Sequence, residues 1–296
     1  MKRKTFIKLG SSAYLASLMP FSCIGPTPSK RKMGLQLYTV RDAMERDVTG
    51  TLKALKAMGY TNFESYGYDV TSQTYYGMSP EAFKQLLTDL ELTTNSGHYG
   101  FADHMWSSKE VLLAYTDACI EGASRLGDEY IVWPIVREAD RNLDGFKKLA
   151  EQLSIIGERT AAAGMGFAYH NFGYEFEQYE EFMPYEYIIQ QTDPAHVQLE
   201  VDFYWVSRAG VFTPKEIIEL APGRYPLWHI KDMDKVTQDY TELGNGSIDY
   251  TTLMPDPERA GLKHHYIEQG GNFVKDSMSS VAQSAAYFQK ELKHFF

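Results

Sequence analysis

The chain has 296 residues, of which 44% are hydrophobic, and it is long enough to bury a large core. Its formal net charge is −10, and basic residues cluster only at the N-terminus. Because nucleic acids are bound by clustered positive surface, this composition argues against a nucleic-acid partner. The 21 tyrosines and 16 phenylalanines suit a sugar or another small polyol that stacks on rings, although aromatic residues are also ordinary core residues.

The first 28 residues differ in composition from the rest of the chain. Residues 1–9 are basic, residues 10–21 are small and apolar, and Cys23 follows, which is the pattern of an export signal. The apolar run is too short to span a membrane, and no later segment approaches eighteen apolar residues. We expect a leader at 1–28, one catalytic domain at 29–296, and export to the periplasm.

Two details of the leader concern its processing. Lys2 and Arg3 stand where a twin-arginine signal has its arginine pair, so the export route stays open. Ser22 and Cys23 resemble a lipoprotein box, which predicts a lipid anchor on Cys23. The alternative is an uncleaved, disordered tail.

Strand-like and helix-like segments alternate eight times after the leader. The predicted strands are residues 33–39, 61–67, 92–100, 129–135, 166–171, 196–206, 225–232 and 263–271. The predicted helices are residues 41–59, 79–91, 107–127, 142–164, 181–191, 213–223, 249–261 and 277–295. Eight β-then-α units of similar length predict a parallel sheet with helical crossovers, and eight strands close a barrel.

An open, doubly wound α/β sheet is the alternative architecture. It would need a glycine-rich nucleotide loop after the first strand. This chain has YTVRD at that point, residues 38–42, without a glycine. We therefore predict an α/β fold of the (βα)8 TIM-barrel type.

Four predicted strands end in a possible metal ligand: His170, Asp202, His229 and Glu268. A buried parallel strand turns polar where it leaves the core, and the carboxyl ends of all barrel strands meet at one rim. Two imidazoles and two carboxylates suit a divalent manganese, zinc, cobalt or iron ion, whereas two nitrogens disfavour calcium. The alternative is a buried polar layer that caps the barrel.

Two further strand ends supply candidate catalytic groups. Glu64 ends the second strand, and its alternative role is an ion pair with an arginine such as Arg41. Lys231 lies two residues after the histidine of strand seven and therefore faces the same side. It is a candidate cation on a substrate oxygen or a proton carrier, and the alternative is a salt bridge to Asp232 or Glu268.

Substrate contacts are predicted at three other strand ends, Tyr38, His98 and Trp133. Barrel packing is the alternative for Tyr38 and Trp133. Glu200 lies two residues before the aspartate of strand six and points to the same side, so it is a candidate for orienting a ligand. The GNG turn at 244–246 lacks a basic cluster, which favours an unphosphorylated sugar.

Three motifs carry a resemblance to a known family: LQLYTVRD at 35–42, HIKD at 229–232 and YIEQ at 266–269. Together with the eight units, they resemble the xylose isomerase-like barrels of the sugar phosphate isomerase/epimerase superfamily. The resemblance covers roughly residues 33–294. It implies a metal-dependent enzyme that acts on a small-molecule sugar.

The resemblance also implies a set of metal ligands. The superfamily commonly uses Glu, Asp, His and Glu from strands five to eight. Asp202, His229 and Glu268 match the last three, whereas His170 replaces the first glutamate. In the superfamily's epimerases the two glutamates are an acid/base pair on opposite substrate faces. A histidine keeps metal binding and proton transfer near pH 7 but not the symmetry of that pair.

Exported members with a YHN-type fifth strand resemble a branch linked to 3-keto-glycosides. The implied chemistry is isomerisation or epimerisation through an enediolate, with Glu268 and one of His170, Glu64 or Lys231 as the proton-transfer pair. One alternative is a keto-sugar lyase or hydratase that uses the same enediolate. The other is a sugar-binding lipoprotein without catalytic activity.

Overall fold

A closed barrel of eight parallel strands forms the centre of the computed structural model, which describes residues 31–180 and 182–296. Its strands are β1 Gly34–Gln36, β2 Asn62–Tyr66, β3 Thr93–His98, β4 Tyr130–Trp133, β5 Gly166–His170, β6 Gln198–Asp202, β7 Leu227–Ile230 and β8 His264–Ile267. Each strand pairs with its neighbours in chain order, and β1 closes the barrel against β8. The predicted (βα)8 barrel is confirmed. The predicted leader with Cys23 lies outside the described residues.

Helices fill the connections and cover the barrel. They are α1 Arg41–Arg46, α2 Val48–Ala57, α3 Pro80–Asp89, α4 Lys109–Leu126, α5 Leu143–Ala162, α6 Pro184–Gln191, α7 Phe203–Ala209, α8 Pro214–Glu219, α9 Tyr250–Leu253, α10 Pro257–Ala260 and α11 Ser277–Tyr287. A π-turn at Phe288–Leu292 and a 3-10 turn at Lys293–Phe295 follow α11. No helix in the described part of the chain is long and apolar enough to cross a membrane.

The sixth strand is shorter than the sequence predicts. The predicted strand at 196–206 is wrong beyond Asp202, because α7 begins at the next residue. Asp202 caps this helix, since its Oδ1 accepts a hydrogen bond from the Tyr204 amide at 3.0 Å. Gly210 ends it in the left-handed region, at φ 69°. The aromatic run FYWV favours a strand by propensity, but the cap determines the conformation.

Other helix predictions differ from the structure in detail. The predicted helix at 41–59 is two helices, because Asp47 has extended backbone and caps α2 through the Gly50 amide. The predicted helix at 249–261 is likewise two short helices, α9 and α10. The connection before α9 also holds a small hairpin of Asp232–Met233 and Tyr240–Thr241, which was not predicted.

The interior of the barrel is apolar towards the amino ends of the strands. Tyr130, Val132, Ala168, Leu227 and Tyr266 form one buried cluster there. Side chains at alternate positions point outward and pack under the helices in a second, larger cluster. The barrel thus contains a layer of buried apolar side chains in addition to the polar groups at the carboxyl ends of its strands.

The outer side of this lower end is also aromatic. His265 lies on β8 with its ring stacked on Phe296 and Phe288, at centroid distances of 3.9 and 5.2 Å. The amide of Arg31 donates to the carbonyl of Phe296 at 3.1 Å, so the last residue is held under the barrel. Asp128, just before β4, is buried with neither carboxylate oxygen hydrogen-bonded.

The long connection after β7 is folded around one carboxylate. Asp232 accepts hydrogen bonds from the amides of Gly244, Gly246 and Ile248 at 2.9–3.2 Å. A Cβ at Gly246 would lie 2.0 Å from Asp232 Oδ1, so only glycine fits. The GNG turn therefore serves a carboxylate of the same chain.

Candidate active site

Four side chains from consecutive strands meet at the carboxyl end of the barrel. We call them the ligand group: His170 ends β5, Asp202 ends β6, His229 lies on β7 and Glu268 follows β8. One nitrogen or oxygen from each lies within 4.8 Å of all the others, and all four residues are buried. The Nδ1 of His229 lies 2.6 Å from Glu268 Oε2, and the Nε2 of His170 lies 3.4 Å from Asp202 Oδ2.

The ligand group fits a divalent metal ion. His170 Nε2, Asp202 Oδ2, His229 Nδ1 and Glu268 Oε2 are all buried, and their close partners are one another and Lys231 Nζ, at 2.5–3.4 Å. Their lone pairs converge on one point instead of being spread over separate hydrogen bonds, which is the arrangement of a metal site. Two imidazole nitrogens and two carboxylate oxygens are ligands that first-row divalent ions accept.

The other polar atom of three ligands is tied to the protein. Asp202 uses Oδ1 to cap α7. His170 Nδ1 lies 3.3 Å from the carbonyl of Pro134, and His229 Nε2 lies 2.6 Å from Glu64 Oε2. These contacts hold each side chain so that its second atom points to the common centre, as is usual for metal-binding residues.

A second polar group, which we call the support group, lies beneath the first and consists of Glu64, His98, Glu200 and His229. His98 Nε2 lies 2.8 Å from Glu200 Oε2 and 3.1 Å from Glu64 Oε2. Glu64 also accepts from Ser96 Oγ at 2.7 Å and from Gln36 Nε2 at 2.8 Å. Because most of its atoms already bond to one another, this group orients His229 instead of offering a second ion site.

Lys231 adds a positive charge at the ligand group. Its Nζ lies 2.5 Å from Asp202 Oδ2 and 2.6 Å from Glu268 Oε2. Burial alone would lower the pKa of Lys231, but these two carboxylates outweigh burial and raise it. Burial likewise would raise the pKa of Glu268, yet the charges of Lys231 and His229 hold it well below its usual range. Glu268 is therefore an ionised carboxylate.

The pKa values of the two imidazoles of the ligand group shift in opposite directions. Burial lowers the pKa of His170, and the contact with Asp202 offsets this only in part. His229 is also buried, but the carboxylates of Glu200, Glu268 and Glu64 raise its pKa well above the usual value. A neutral imidazole at His170 has the form that binds a metal ion.

The profile of the xylose isomerase-like TIM barrel matches residues 52–265, which is more than half of the chain. The chain belongs to this family. No curated protein sequence matches the chain significantly.

Solved structures agree with the xylose isomerase-like fold. A sugar phosphate isomerase/epimerase from Parabacteroides distasonis superposes with a TM-score of 0.78 at 24% identity, over 92% of this chain and 98% of that one. An L-ribulose 3-epimerase gives 0.68 at 16% identity, over 90% and 95% of the two chains. The IOLI protein with a bound zinc atom gives 0.68 at 14%, over 90% and 99%. At these identities the likeness shows the fold alone.

The predicted catalytic candidates lie together, and of the salt bridges considered from sequence the one between Lys231 and Glu268 is present. Glu64 contacts His229 and His98, whereas Arg41 donates to the carbonyls of Tyr38 and Gly270. Lys231 pairs with two ligand-group carboxylates and not with Asp232, which is occupied by backbone amides.

The predicted substrate contacts divide into three positions. His98 lies inside the barrel in the support group. Tyr38 is 42% exposed at the rim, beneath the guanidinium of Arg41 at 4.2 Å. Trp133 follows the inward-facing Val132 and thus points outward, where it stacks on Phe101 at 5.6 Å and donates to the carbonyl of Ile135. Trp133 therefore packs outside the barrel and does not reach the mouth.

Sequence reasoning missed an aromatic wall beside the ligand group. Phe172, Trp205 and Tyr240 come from the connections after β5, β6 and β7, and they line a cavity of about 670 Å³. The ring of Phe172 lies 5.2 Å from that of His170, so the cavity adjoins the ligand group. The run FYW directly after Asp202 is the signal in the sequence, but its aromatic residues also favour a strand.

Proposed function

We propose that this xylose isomerase-like protein is a divalent-metal-dependent isomerase or epimerase that enolises a keto-sugar, with 3-keto-glycosides as the substrate class. The observation that carries the proposal is the convergence of four buried ligand atoms at the carboxyl end of the barrel, one of them from the ionised Glu268. Two proteins of similar fold support the proposal: an L-ribulose 3-epimerase supports the reaction, and a protein with a bound zinc atom supports the metal ion.

His170, Asp202, His229 and Glu268 would hold the ion, which when bound polarises a carbonyl as a Lewis acid. A keto group acidifies the neighbouring C–H bond. One oxygen of Glu268 belongs to the ligand group, and the second is left to take this proton. The ammonium of Lys231 lies 2.6 Å from Glu268 and can donate a hydrogen bond to the substrate oxygen on which negative charge develops.

The geometry narrows the choice of the second proton carrier. Glu64 lies beneath His229, is fully buried, and accepts hydrogen bonds from three side chains. We therefore assign Glu64 to the orientation of His229 and not to proton transfer, in contrast to its predicted catalytic role. Lys231 remains as the partner of Glu268, because His170 uses Nε2 in the ligand group and Nδ1 at the carbonyl of Pro134. Return of the proton to the opposite face gives an epimer, and its transfer between carbons gives an isomer.

Deuterium exchange tests the proposal. The protein is incubated with methyl 3-keto-β-glucoside in heavy water, with manganese or zinc, and carbon 2 is followed by NMR. We expect incorporation of deuterium that stops when a chelator removes the metal. If wild-type protein incorporates none and its melting temperature does not rise with either ion, the sugar-binding protein is the better description. Release of methanol would instead identify the lyase.

Export is proposed separately, because it depends on the leader alone. Its pattern supports periplasmic delivery and a lipid on Cys23. Labelled palmitate in a bacterial host should enter the wild-type protein and not Cys23→Ala. Equal labelling of both proteins would exclude the anchor.

A further inference from the structure

The cavity beside the ligand group combines flat aromatic side chains with two arginines. Phe172, Tyr174, Trp205 and Tyr240 line it together with Arg141 and Arg208. Lys231 Nζ lies 5.8 Å from the ring centre of Tyr240, and His170 contacts Phe172, so the cavity continues from the ligand group. With a volume of about 670 Å³, it has room for a ring beyond the reacting sugar.

Its two arginines lack the acidic partners that six other described arginines have; Arg41 and Arg224 lack them too, but donate to two backbone carbonyls each. Six arginines in the described ranges form ion pairs with Asp or Glu: Arg31, Arg46, Arg125, Arg137, Arg159 and Arg259. Arg141 and Arg208 are in none of the ion pairs between described residues. Arg141 Nε donates to the carbonyl of Val136, and Arg208 Nη1 donates to the hydroxyl of Tyr204. Most guanidinium donors of both residues remain for a ligand.

The aromatic rings hold the guanidinium groups beside the cavity. Arg141 lies 4.1 Å above the ring of Tyr174, and Arg208 lies 5.4 Å from the ring of Trp205. The Nε1 of Trp205 is buried without a hydrogen-bond acceptor. One carboxylate, Glu177, also lines the cavity, and it accepts from the hydroxyl of Tyr179 at 3.3 Å. Two cations against one anion leave this cavity positive in a protein of net charge −10.

We propose that this cavity is a second subsite that binds a carboxylate-bearing ring attached to the reacting sugar. The ring stacks on Phe172 and Trp205, and the carboxylate pairs with Arg141 and Arg208. Guanidinium groups match a carboxylate in charge and in planar geometry, whereas a neutral hydroxyl would leave both charges uncompensated. This inference rests on the proposed function, because the reacting sugar must lie at the ligand group.

Three substrates distinguish the contribution of the ring from that of its charge: methyl, phenyl and 4-carboxyphenyl 3-keto-β-glucoside. For wild-type protein we expect the KM to fall about tenfold from phenyl to 4-carboxyphenyl, the effect of one charge-assisted hydrogen-bond pair. In Arg208→Gln the ratio of these two KM values should approach one. Arg125→Gln, whose arginine pairs with Glu81 on the surface, is the control and should keep the wild-type ratio.

A binding measurement distinguishes failure of the subsite from failure of the proposed function. The unoxidised 4-carboxyphenyl β-glucoside cannot enolise, and its binding is followed by quenching of tryptophan fluorescence. Tenfold weaker binding to Arg208→Gln supports the subsite even if no keto-glucoside exchanges deuterium. Equal affinity of wild-type protein for the phenyl and 4-carboxyphenyl β-glucosides, or an unchanged ratio in Arg208→Gln, overturns it.

Discussion

The two ends of the barrel place histidines in opposite surroundings. At the mouth, His229 lies 2.6 Å from both Glu64 and Glu268. At the base, His265 lies against the rings of Phe296 and Phe288, and neither ring nitrogen of His265 has a hydrogen-bond partner. Burial lowers the pKa of both, but carboxylates reverse the shift at His229, whereas the pKa of His265 falls to about 3. Neighbouring charge thus decides whether the pKa of a buried histidine rises or falls in this protein.

Carboxyl groups show the same contrast. Burial raises the pKa of Asp128 at the base to about 7, helped by the charges of Glu64 and Glu129. At the mouth, Lys231 and His229 overcome burial and keep Glu268 ionised. Paired buried charges seldom stabilise a fold more than apolar residues of the same size would. Their concentration at one end therefore indicates function, and four substitutions test this contrast.

Glu268→Gln should have the largest effect. It removes the ionised carboxylate of the mouth, and we expect deuterium exchange to fall by about 10²–10⁴-fold, as for other general bases. Circular dichroism should stay unchanged, because the amide has the same shape. Glu129→Gln, an exposed carboxylate at the base, is the control. Activity within tenfold of wild type would remove Glu268 from proton transfer.

Glu64→Gln should weaken metal binding. The variant loses the carboxylate that orients His229 at 2.6 Å, and such changes lower affinity by about 10–100-fold. Competition with a coloured chelator measures this directly, without any substrate. Glu258→Gln changes a carboxylate on the surface and should bind the ion as wild type does. Identical affinities of all three proteins would refute the orienting role.

Asp128→Asn should stabilise the protein at pH 8. The pKa rises from its ordinary 3.8 to about 7 on folding, so wild-type stability falls as pH rises through that interval. The ionised Asp128 therefore costs the fold about 4 kcal/mol at pH 8, and the cost of burying an amide in its place leaves a net gain of about 2 kcal/mol. Urea unfolding at pH 8 and pH 4 should show the gain only at pH 8. A gain at both pH values would point to packing instead of ionisation.

His265→Phe should have the smallest effect, confined to acid. The folded pKa of about 3 lies below the ordinary 6.5, so wild-type stability is complete above pH 6.5 and is lost as pH falls towards 3. At pH 5.5 the variant should be more stable by about 1 kcal/mol, and at pH 8 the two proteins should be nearly equal in stability. Thermal unfolding at the two pH values measures this. A variant with the same acid sensitivity would show that His265 is protonated in the fold.

The barrel and the ligand group were predictable because both follow from strand ends. A buried parallel strand is apolar until it leaves the core, so His170, Asp202, His229 and Glu268 stand out in sequence. Whether Trp133 points into or out of the barrel was not predictable, since this depends on which residues of β4 face inward. The role of Glu64 was hidden too, because His229 is 165 positions away in the chain.

The cavity wall was missed for a different reason. Phe172, Trp205 and Tyr240 lie in connections whose course depends on local hydrogen bonds and not on periodicity. The Asp202 cap that starts α7 is one such contact. An aspartate at the end of an apolar run can end a strand, cap a helix or bind a metal. Asp202 ends β6, caps α7 with Oδ1 and directs Oδ2 to the ligand group.

The carboxylate of Asp232 also has a meaning for the engineering of this loop. The amides of Gly244, Gly246 and Ile248 point at it as they would at a bound inorganic anion. Asp232→Gly would leave the three donors facing an anion-sized gap in the protein. Formate added to the buffer would supply the missing carboxylate. If formate restores the conformation of this loop, the loop can be controlled by an added salt.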